Sequence, residues 1–443
     1  MNDDNPRRDV PVGSPRPAVR PVHAGTSRRA DGTPRAGLRG GGRADHAARQ
    51  QSLREHNLSL ALRHVMEAAA PISRADIALA TGLTRATVSA LVDRLLAAGM
   101  IAELDPVASQ RAGRPAVPLV PARGTIAAVG MEINVDFLGV RAIDLAGRVL
   151  SERVELGDFR GSDPVRVLDR LAVIAGGVLA MLSADRLTIA GTALALPGLV
   201  DRDTGPLRLA PNLGWRDVDV VGVLSAHPVL AALPPGLSNE ANLAARAEAY
   251  ARRSGGRSSF VYVSGEVGIG GAIVLDGEIF PGRHGWSGEI GHLALGTAGS
   301  FDEGGTLEHY AGQDALMDAA GLERGLSVAR LVEAADAGDA AALASLARGG
   351  AALGVALANV VNVVDVSEVV LGGNYAGLVE HMRGPILEQL RRRVLAAPWF
   401  DVGLSAARAG EYPAMTGGAL AVLEQLVADP AAWGADEELV DAP

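Results

Sequence analysis

The pattern of apolar and polar positions between residues 55 and 122 predicts three helices followed by two short strands. Apolar residues recur at helical spacing from Leu58 to Ala69, before Pro71. Ser73 and Thr84 are placed to begin the next two helices, because their hydroxyl oxygens accept hydrogen bonds from the free N–H groups of a first turn. The predicted elements are helices 58–69, 74–80 and 84–97, and strands that begin at 100 and 117. This order is typical of a winged helix-turn-helix domain.

From Thr125 onward the apolar spacing becomes that of buried strands. Three successive strands, an amphipathic helix and a fourth strand are typical of an α/β domain of the ribonuclease H type. A second block of this kind begins near Ser259 and contains a long apolar helix. The predicted elements are strands 126–133, 137–144, 148–156, 187–196 and 368–371, and helices 164–182 and 340–364. We therefore expect two similar α/β lobes with a cleft between them.

Composition limits the classes of function. A chain of 443 residues is too long for one compact domain, and the aromatic content of 3% argues against stacking on single-stranded nucleic acid. Cysteine is absent, which excludes disulfides and thiolate metal sites. The net charge is −10, so any DNA binding must come from a local basic patch. No apolar run reaches the length of a membrane span, and no apolar signal core is present, so we expect a cytoplasmic protein with no membrane partner.

The N-terminal residues are rich in Arg, Pro and Gly and lack a periodic apolar pattern. This composition predicts a disordered basic arm, which either contacts DNA phosphates or is a solvated tail. The predicted division of the chain is an arm at 1–54, a DNA-binding domain at 55–122, a first lobe at 125–238 completed by a helix at 414–428, a second lobe at 239–413, and a flexible tail at 429–443.

The third predicted helix begins Thr-Arg-Ala-Thr-Val-Ser, and the second helix of a helix-turn-helix enters the major groove by this end. Arg pairs with guanine, and Thr and Ser contact base edges. Two further Arg residues flank Ala-Gly in the predicted wing, where guanidinium suits a narrow minor groove. The predicted DNA-contacting residues are Ser73, Arg74, Thr84, Arg85, Thr87, Ser89, Arg111 and Arg114.

Seven short motifs follow one another along the two predicted lobes: Leu196–Asp201, Ala210–Trp215, Asn239–Asn242, Val267–Gly277, Gly285–His292, Leu307–Glu308 and Leu371–Gly373. In this order they resemble the ROK family (repressors, open reading frames, kinases), and the helix-turn-helix with a Gly-Arg-Pro wing is similar to its repressor branch. The resemblance covers about residues 55–425. It implies two lobes of the actin and hexokinase type and an oligomer, either a homodimer or a homotetramer.

The resemblance also locates the kinase chemistry. The base that activates a sugar hydroxyl is an Asp in family kinases, and Glu240 stands there; a displacement of about 1 Å can cost roughly 10²-fold in rate. The phosphate loop needs glycine for close backbone approach, but this chain has Glu132-Ile-Asn-Val-Asp136. We therefore predict a degenerate kinase domain without a catalytic residue or a cofactor. Gly268, Gly270, Gly271 and the pair Gly372-Gly373 are open to two interpretations, as phosphate loops or as tight turns.

Positions that hold sugar hydroxyls in family members carry amides and carboxylates here. The resemblance implies an effector site made of Gly198, Asn212, Asn239, Glu240, Glu289, His292 and Glu308. The alternative is that these residues are retained only as a scaffold. Many members hold zinc on one His and three Cys; residues 299–306 lack Cys, so we predict no metal.

These observations predict a sequence-specific DNA-binding transcriptional regulator, acting as a repressor. A carbohydrate effector in the cleft would shift operator affinity, and a dimer would read an inverted repeat. Two alternatives stay open: an active ATP-dependent sugar kinase fused to a DNA reader, and a constitutive regulator whose second domain only dimerises.

Overall fold

The computed structural model describes residues 41–105, 117–201, 205–256, 258–295 and 305–433, with the backbone alone at 41–50. Its N-terminal domain has three helices and a two-stranded antiparallel wing. The elements are α1 (Gly41–Glu67), α2 (Arg74–Thr81), α3 (Arg85–Ala97), β1 (Ile101–Glu103) and β2 (Leu119–Pro121). The predicted winged helix-turn-helix is confirmed.

The caps predicted for α2 and α3 explain why both helices begin where the sequence indicates. The Ser73 hydroxyl accepts from the Asp76 N–H, and the Asp76 carboxylate accepts from the Ser73 N–H at 2.8 Å. At the start of α3, the Thr84 hydroxyl accepts from the Thr87 N–H at 3.1 Å. Between the two helices, Gly82 has φ of 72°, a left-handed conformation that glycine adopts without steric cost.

The first helix begins at Gly41, inside the segment predicted to be a disordered arm, so that boundary was wrong for the described residues. Apolar periodicity could not detect it, because residues 41–57 carry one Leu and no apolar stripe. Their Ala, Arg, Gln and Glu residues nevertheless favour a helix by intrinsic propensity. The remainder of the predicted arm, residues 1–40, lies outside the described residues.

The first lobe contains a five-stranded mixed sheet and a smaller three-stranded antiparallel sheet. The three-stranded sheet and the short helix after it were not predicted. The elements are β3 (Ile126–Ile133), β4 (Phe137–Asp144), β5 (Val149–Leu156), α4 (Pro164–Ala184), β6 (Thr188–Leu196), β7 (Leu199–Val200), β8 (Leu207–Ala210), β9 (Trp215–Val218), α5 (Val220–Ser225), β10 (Gly236–Asn239) and α6 (Glu240–Arg252).

The second lobe repeats this arrangement with a larger set of helices. Its elements are β11 (Phe260–Gly265), β12 (Ile269–Leu275), β13 (Glu278–Ile279), α7 (Leu307–Ala311), α8 (Gln313–Ala319), α9 (Ala329–Asp336), α10 (Ala340–Val364), β14 (Glu368–Gly373), α11 (Asn374–Arg393) and β15 (Gly403–Ala406). Two helices follow: α12 (Pro413–Ala428) and α13 (Pro430–Trp433).

The two five-stranded sheets have the same topology. Their orders are β10-β6-β3-β4-β5 and β13-β12-β11-β14-β15, so the first strand of each block is central. In both, the first three strands are antiparallel and the last two are parallel to the first. The predicted pair of ribonuclease H-like lobes is therefore confirmed.

The helix α12 returns from the second lobe and packs on the first sheet. Glycine permits the close approach: a Cβ on Gly130 of β3 would lie 1.8 Å from the Met415 carbonyl oxygen. A Cβ on Gly417 would lie 1.7 Å from the Leu243 carbonyl oxygen of α6. The side chains on the other face of β3, including Val129 and Met131, belong to the core that contains α4. The first sheet is thus covered by α4 on one face and by α12 on the other.

The DNA-binding domain shares a hydrophobic core with the first lobe. This shared core joins α1 to strands β3, β4 and β6 and to α12. Two hydrogen bonds support it: the Ser59 hydroxyl donates to the Val427 carbonyl at 2.8 Å, and the Thr125 hydroxyl donates to the Gly99 carbonyl at 2.7 Å. Its buried side chains include Leu58, Leu62, Val65, Ile126, Ala128, Ile143, Leu145, Leu420, Leu423 and Leu426. The two domains are packed together and not merely tethered.

Two helices, α4 and α10, are long and apolar enough by length and composition to cross a membrane, and the bent pair α2 and α3 together also meets this test. This test averages hydropathy over a window, whereas the sequence analysis counted uninterrupted apolar residues. Asp169 and Arg170 interrupt the apolar run of α4, and Arg348 interrupts that of α10, so neither run is continuous over the length of a span. In the fold, each helix buries one face in a lobe core: Leu168 and Leu171 of α4, and Leu353 and Leu357 of α10.

Leu62→Ala should lower the free energy of unfolding by about 2–5 kcal/mol, because Leu62 is 0% exposed in the shared core and its truncation leaves a cavity. Leu53→Ala is the matched control on the same helix, since Leu53 is 60% exposed. Urea denaturation followed by circular dichroism measures both. Equal effects of the two substitutions would contradict the placement of α1.

Candidate functional site

The start of α3 carries an arginine that is exposed to solvent. Arg85 is exposed and has no intramolecular hydrogen bond or ion pair within the described residues. Ser89, one turn later, is half-buried, and the opposite face of α3 is buried through Val88, Leu91 and Val92. The helix therefore has a fixed orientation, with Arg85 available to a base edge or a phosphate.

The structure gives several other predicted DNA-contacting residues an internal role. Arg74 forms ion pairs with Asp93 of α3 at 2.9 Å and with Glu103 of β1. Ser73 completes a capping box, and the hydroxyls of Thr84 and Thr87 lie 2.8 Å apart. The Arg74 ion pairs join α2 to α3 and to the wing, whereas the contacts of Ser73, Thr84 and Thr87 cap the helix starts. The two predicted wing residues, Arg111 and Arg114, lie outside the described residues.

Two of the predicted effector residues meet at the end of β10. The Asn239 amide donates to the Gly198 carbonyl at 2.9 Å, and its Oδ1 caps α6 by accepting from the Ala241 N–H at 2.8 Å. Gly198 has φ of 99°, and a Cβ there would lie 2.0 Å from the Leu209 carbonyl oxygen. Both residues thus shape the backbone around the N-terminus of α6, where Glu240 stands.

Two more predicted effector residues line a cavity of about 650 Å³, Asn212 from the first lobe and Glu308 from the second. Glu308 Oε2 accepts from the Ile269 N–H at 3.1 Å. A Cβ on Gly268 would lie 2.8 Å from the Asn212 amide nitrogen and 3.0 Å from Glu308 Oε2. Gly268 therefore keeps the space between these side chains open.

Glu289 and His292 lie in the same region. The His292 N–H donates to the Glu289 carbonyl at 3.2 Å. Burial raises the pKa of the Glu289 carboxyl, the His292 side chain opposes this rise, and Glu308 adds to it. The charges of His292 and Glu308 thus act on the Glu289 carboxyl, and Glu289 in turn raises the pKa of Glu240.

A cluster of four carboxyl groups, which the sequence analysis did not recognise as a unit, extends from Glu240 toward the degenerate phosphate loop. We call Glu132, Asp136, Glu240 and Glu266 the carboxyl cluster. Burial, with a further contribution from the neighbouring carboxyls, raises the pKa of Glu132, of Glu240 and of Glu266 to about 8 each. Burial also raises the pKa of Asp136. Within the described residues, Glu132 Oε2 and Glu240 Oε2 are sealed from solvent without a hydrogen-bond partner.

Glu266 begins the glycine-rich run and occupies the turn between β11 and β12. Its N–H donates to the Gly268 carbonyl at 2.8 Å, so the tight turn is residues 266–268. A Cβ on Gly373, whose φ is 53°, would lie 2.8 Å from Glu266 Oε1. The Glu266 carboxyl thus lies close to Gly373 of the pair Gly372-Gly373. A charged residue directly before the run Val267–Gly271 was the signal that could have identified it.

Gly270 and Gly271 lie inside strand β12, so their interpretation as part of a tight turn was wrong. A Cβ on Gly270 would lie 2.9 Å from Ala241 Cβ, and one on Gly271 would lie 2.6 Å from the Gly288 carbonyl oxygen. Both glycines let β12 pack closely against neighbouring segments. Residues 299–304 of the segment that lacks the family's zinc-binding cysteines lie outside the described residues. The described residues contain no group of three or more His, Asp or Glu side chains arranged to hold a metal ion.

A winged helix packed on two ribonuclease H-like lobes defines the class: a DNA-reading domain joined to a sugar-kinase-like domain. The ROK family model matches residues 174–425, and a MarR family model matches residues 59–114. The chain therefore belongs to the ROK family. With its DNA-reading domain, it is a DNA-binding transcriptional regulator, as the sequence analysis predicted.

Individual relatives include both regulators and enzymes. The chain is 29% identical over 341 residues to a putative xylose repressor of Caldicellulosiruptor sp. strain Rt8B.4, covering 73% of this chain and 83% of that protein. It is 30% identical over 259 residues to a glucokinase of Halalkalibacterium halodurans, covering 53% of this chain and 76% of the enzyme. A crystal structure of a ROK family transcriptional regulator, a homologue of the Escherichia coli MLC protein, matches with a TM-score of 0.69 at 25% identity, covering 85% of this chain and 97% of that one.

Glu132→Gln should make the protein more stable than wild type at pH 8, by about 1 kcal/mol or more. The folded-state pKa of Glu132 is raised to about 8, so between its unfolded value and pH 8 the folded state binds more protons, and the wild type loses stability as pH rises. Gln removes this loss. Urea denaturation at pH 5 and pH 8 measures it.

The control is Glu248→Gln, because Glu248 is equally buried but fully paired. It forms an ion pair with Arg252 and accepts from the Arg408 and Ala409 N–H groups at 2.6 and 2.9 Å. Its substitution should destabilise the protein at both pH values. A Glu132→Gln protein less stable than wild type at pH 8 would contradict the raised pKa of Glu132.

Proposed function

We propose that this chain is a cytoplasmic, sequence-specific repressor whose affinity for its operator is set by a carbohydrate effector in the cleft of its ROK domain. The observation that carries the proposal is the shared core between α1 and the first lobe. Coupling between two sites is carried by packed elements that respond to both, and the central strand β3 and α12 share one core with α1.

Strand β3 passes between the two sites. Ala128 of β3 lies in the shared core, and Glu132 lies on the same face at the cleft end of the strand. Between them, Gly130 is pressed against α12, which also packs on α6, the helix that begins at Glu240. An effector that prefers one arrangement of the lobes would therefore move elements that contact α1. Coupling of this kind amounts to about 1–3 kcal/mol and is reciprocal.

The effector site in this proposal consists of the seven residues predicted from the family resemblance. Asn212 and Glu308 line the same cavity with an amide and a carboxylate, and the charges of His292 and Glu308 act on the Glu289 carboxyl. These groups both donate and accept hydrogen bonds, as recognition of several hydroxyls requires. Asn239 and Gly198 hold the backbone that positions Glu240.

We further propose that the domain does not transfer phosphate. Transfer requires cations and backbone N–H groups around the triphosphate, because negative charge must be neutralised there. In this chain Glu132, Asp136 and Glu266 stand around the corresponding loops, and the Glu266 carboxyl covers Gly373. Val135 is buried where a phosphate loop would have glycine. Whether protonated or ionised, these side chains supply no positive charge to a nucleotide.

A dimer is the form that fits the DNA-reading domain. One helix-turn-helix reads a half-site, and two symmetry-related copies read an inverted repeat whose half-sites lie about one helical turn apart. We therefore propose a homodimer or a dimer of dimers on an inverted repeat.

Arg85→Ala should weaken binding to the operator by about 10-fold or more, because a bidentate contact of arginine with guanine contributes about 1–3 kcal/mol. The operator is first selected from genomic fragments with the wild-type protein, and affinities are then measured by fluorescence anisotropy. Arg330→Ala is the control, since Arg330 is an exposed arginine on the second lobe. If the Arg85→Ala protein binds as tightly as the Arg330→Ala protein, α3 does not read the operator through Arg85.

A coupled ATPase assay over hexoses and amino sugars should show no turnover above background. The physical reason is that the segment matched to the phosphate loop has the buried Val135 in place of glycine, and its neighbours Glu132 and Glu266 supply no positive charge. Turnover that is lost in the Glu240→Gln protein would overturn the proposal and favour an active kinase fused to a DNA reader.

A further inference from the structure

An apolar patch lies on the second lobe, where α10 ends and where α11 leads into β15. The most exposed large apolar side chains among the described residues are Leu79, Val363, Leu395 and Trp399, at 81–87%. Leu79 is on α2, and the other three form what we call the apolar patch. Single exposed apolar residues are ordinary on a protein surface, whereas a group of them marks an interaction surface.

Two hydrogen bonds join the end of α10 to the segment after α11 and so bring parts of the patch together. The Asn362 side chain donates from Nδ2 to the Arg393 carbonyl at 3.0 Å. Its Oδ1 accepts from the Leu395 N–H at 2.9 Å. Val363 is the next residue of α10, so it lies beside the backbone that carries Leu395.

The segment that carries Trp399 is anchored on the core of the second lobe. Val394 and Val402, on either side of it, are buried in that core, and Phe400 packs against it. The Trp399 N–H donates to the Ala396 carbonyl at 2.9 Å, which closes a turn. The exposed indole therefore stands on an ordered backbone, and a side chain held in this way loses less conformational freedom when a partner covers it.

An apolar groove of about 240 Å³ opens beside Trp399. Its apolar walls come from α11, from the segment before β15 and from β15 itself: Leu387, Leu390, Ala397, Phe400, Val402 and Leu404. An exposed indole next to an apolar groove is a protrusion beside a cavity on one surface. Two copies related by a two-fold axis can each insert the indole into the groove of the other, and such isologous contacts are the commonest in homo-oligomers.

The charges at the groove also favour a second copy of the chain. Arg391 and Asp401 both line the groove, and both are exposed. Neither forms an ion pair within the described residues, whereas the neighbouring Arg392 lies 3.5 Å from Glu388. A surface with one unpaired charge of each sign is complementary to itself, because a two-fold axis places Arg391 of each copy against Asp401 of the other. An acidic protein or an anionic lipid surface would be attracted by Arg391 but repelled by Asp401.

We propose that the apolar patch and the groove beside it form a two-fold interface with a second copy of this chain. Trp399 of each copy occupies the groove of the other, and Val363 and Leu395 are covered beside it. Arg391 pairs with Asp401 across the two-fold axis. This inference rests on the proposed oligomer and names the face through which two copies join. The face contains no residue of the DNA-reading domain, so α3 stays available to the operator.

The test is sedimentation velocity of the full chain without DNA, over a range of protein concentrations. Trp399→Ala should raise the dissociation constant of this contact about 10-fold or more, because a tryptophan seated in a partner's pocket carries much of the energy of an interface. Leu395→Ala should weaken association in the same direction. Leu156→Ala is the matched control and should have no effect, since Leu156 is 76% exposed at the end of β5 in the first lobe. Circular dichroism checks that each variant is folded.

Exchange of the two charges tests the pairing across the axis. Arg391→Asp and Asp401→Arg should each weaken association about 10-fold or more, because each substitution places like charges against each other at two symmetry-related positions. The double variant should recover association to within about 3-fold of wild type, because opposite charges then face each other again. A double variant that is no tighter than either single variant would overturn the pairing.

The outcomes separate this inference from the proposed function. If the wild type forms an oligomer and the Trp399→Ala and charge variants associate as tightly as the Leu156→Ala protein, the interface fails and the proposed oligomer stands through another face. If the wild type stays monomeric at every concentration, with or without binding to anionic vesicles, both fail. If the dissociated Trp399→Ala protein binds an inverted-repeat operator as tightly as wild type, the interface stands and the proposed dimeric reading of DNA fails.

Discussion

The arrangement depends on one continuous hydrophobic core that the DNA-reading domain and the first lobe build together. Leu58, Leu62 and Val65 of α1 have no separate core of their own; they are buried with β3 and with Leu420 and Leu423 of α12. Because protein interiors are close-packed, a shift of α12 or β3 must be accommodated by α1. A DNA-reading domain joined to the first lobe only by a flexible linker would not have to accommodate such a shift.

The same two elements reach the cleft. Strand β3 ends at the carboxyl cluster, and α12 packs closely on α6, whose first residue is Glu240. Phosphoryl-transfer enzymes of this architecture need glycine and positive charge around the phosphates, and here carboxyl groups stand at those positions. The two-lobed cleft is present, and the segment matched to the phosphate loop, Glu132-Ile-Asn-Val-Asp136, contains no glycine.

The sequence predicted the features that arise from local interactions. Ser73 and Thr84 begin their helices because a side-chain cap is a contact over three residues, and β3 and β4 match their predicted bounds because buried strands are continuous apolar runs. The start of α1 at Gly41 was missed, because the first residues of this helix favour helix by intrinsic propensity but lack the periodic apolar positions from which helices were predicted. The sheet β7-β8-β9 was missed because its strands are short and mixed in polarity.

The candidate site was predictable only in part for the same reason. The family resemblance identified Asn212 and Glu308, and the fold brings both to one cavity. The electrostatic interaction of Glu132 with Glu266 depends on the end of β3 in the first lobe and the turn before β12 in the second, which no spacing along the chain encodes. The internal ion pairs of Arg74 likewise depend on Asp93 and Glu103, contributed by other elements.

The most direct test of the central claim is hydrogen–deuterium exchange of the full chain with and without a selected operator duplex. The shared core predicts that DNA changes the exchange of amides in β3 and α12, as well as those in α3 and the wing. Exchange differences confined to residues 55–122 would contradict it, because the DNA-reading domain would then bind its operator without involving the lobe that holds the effector cleft.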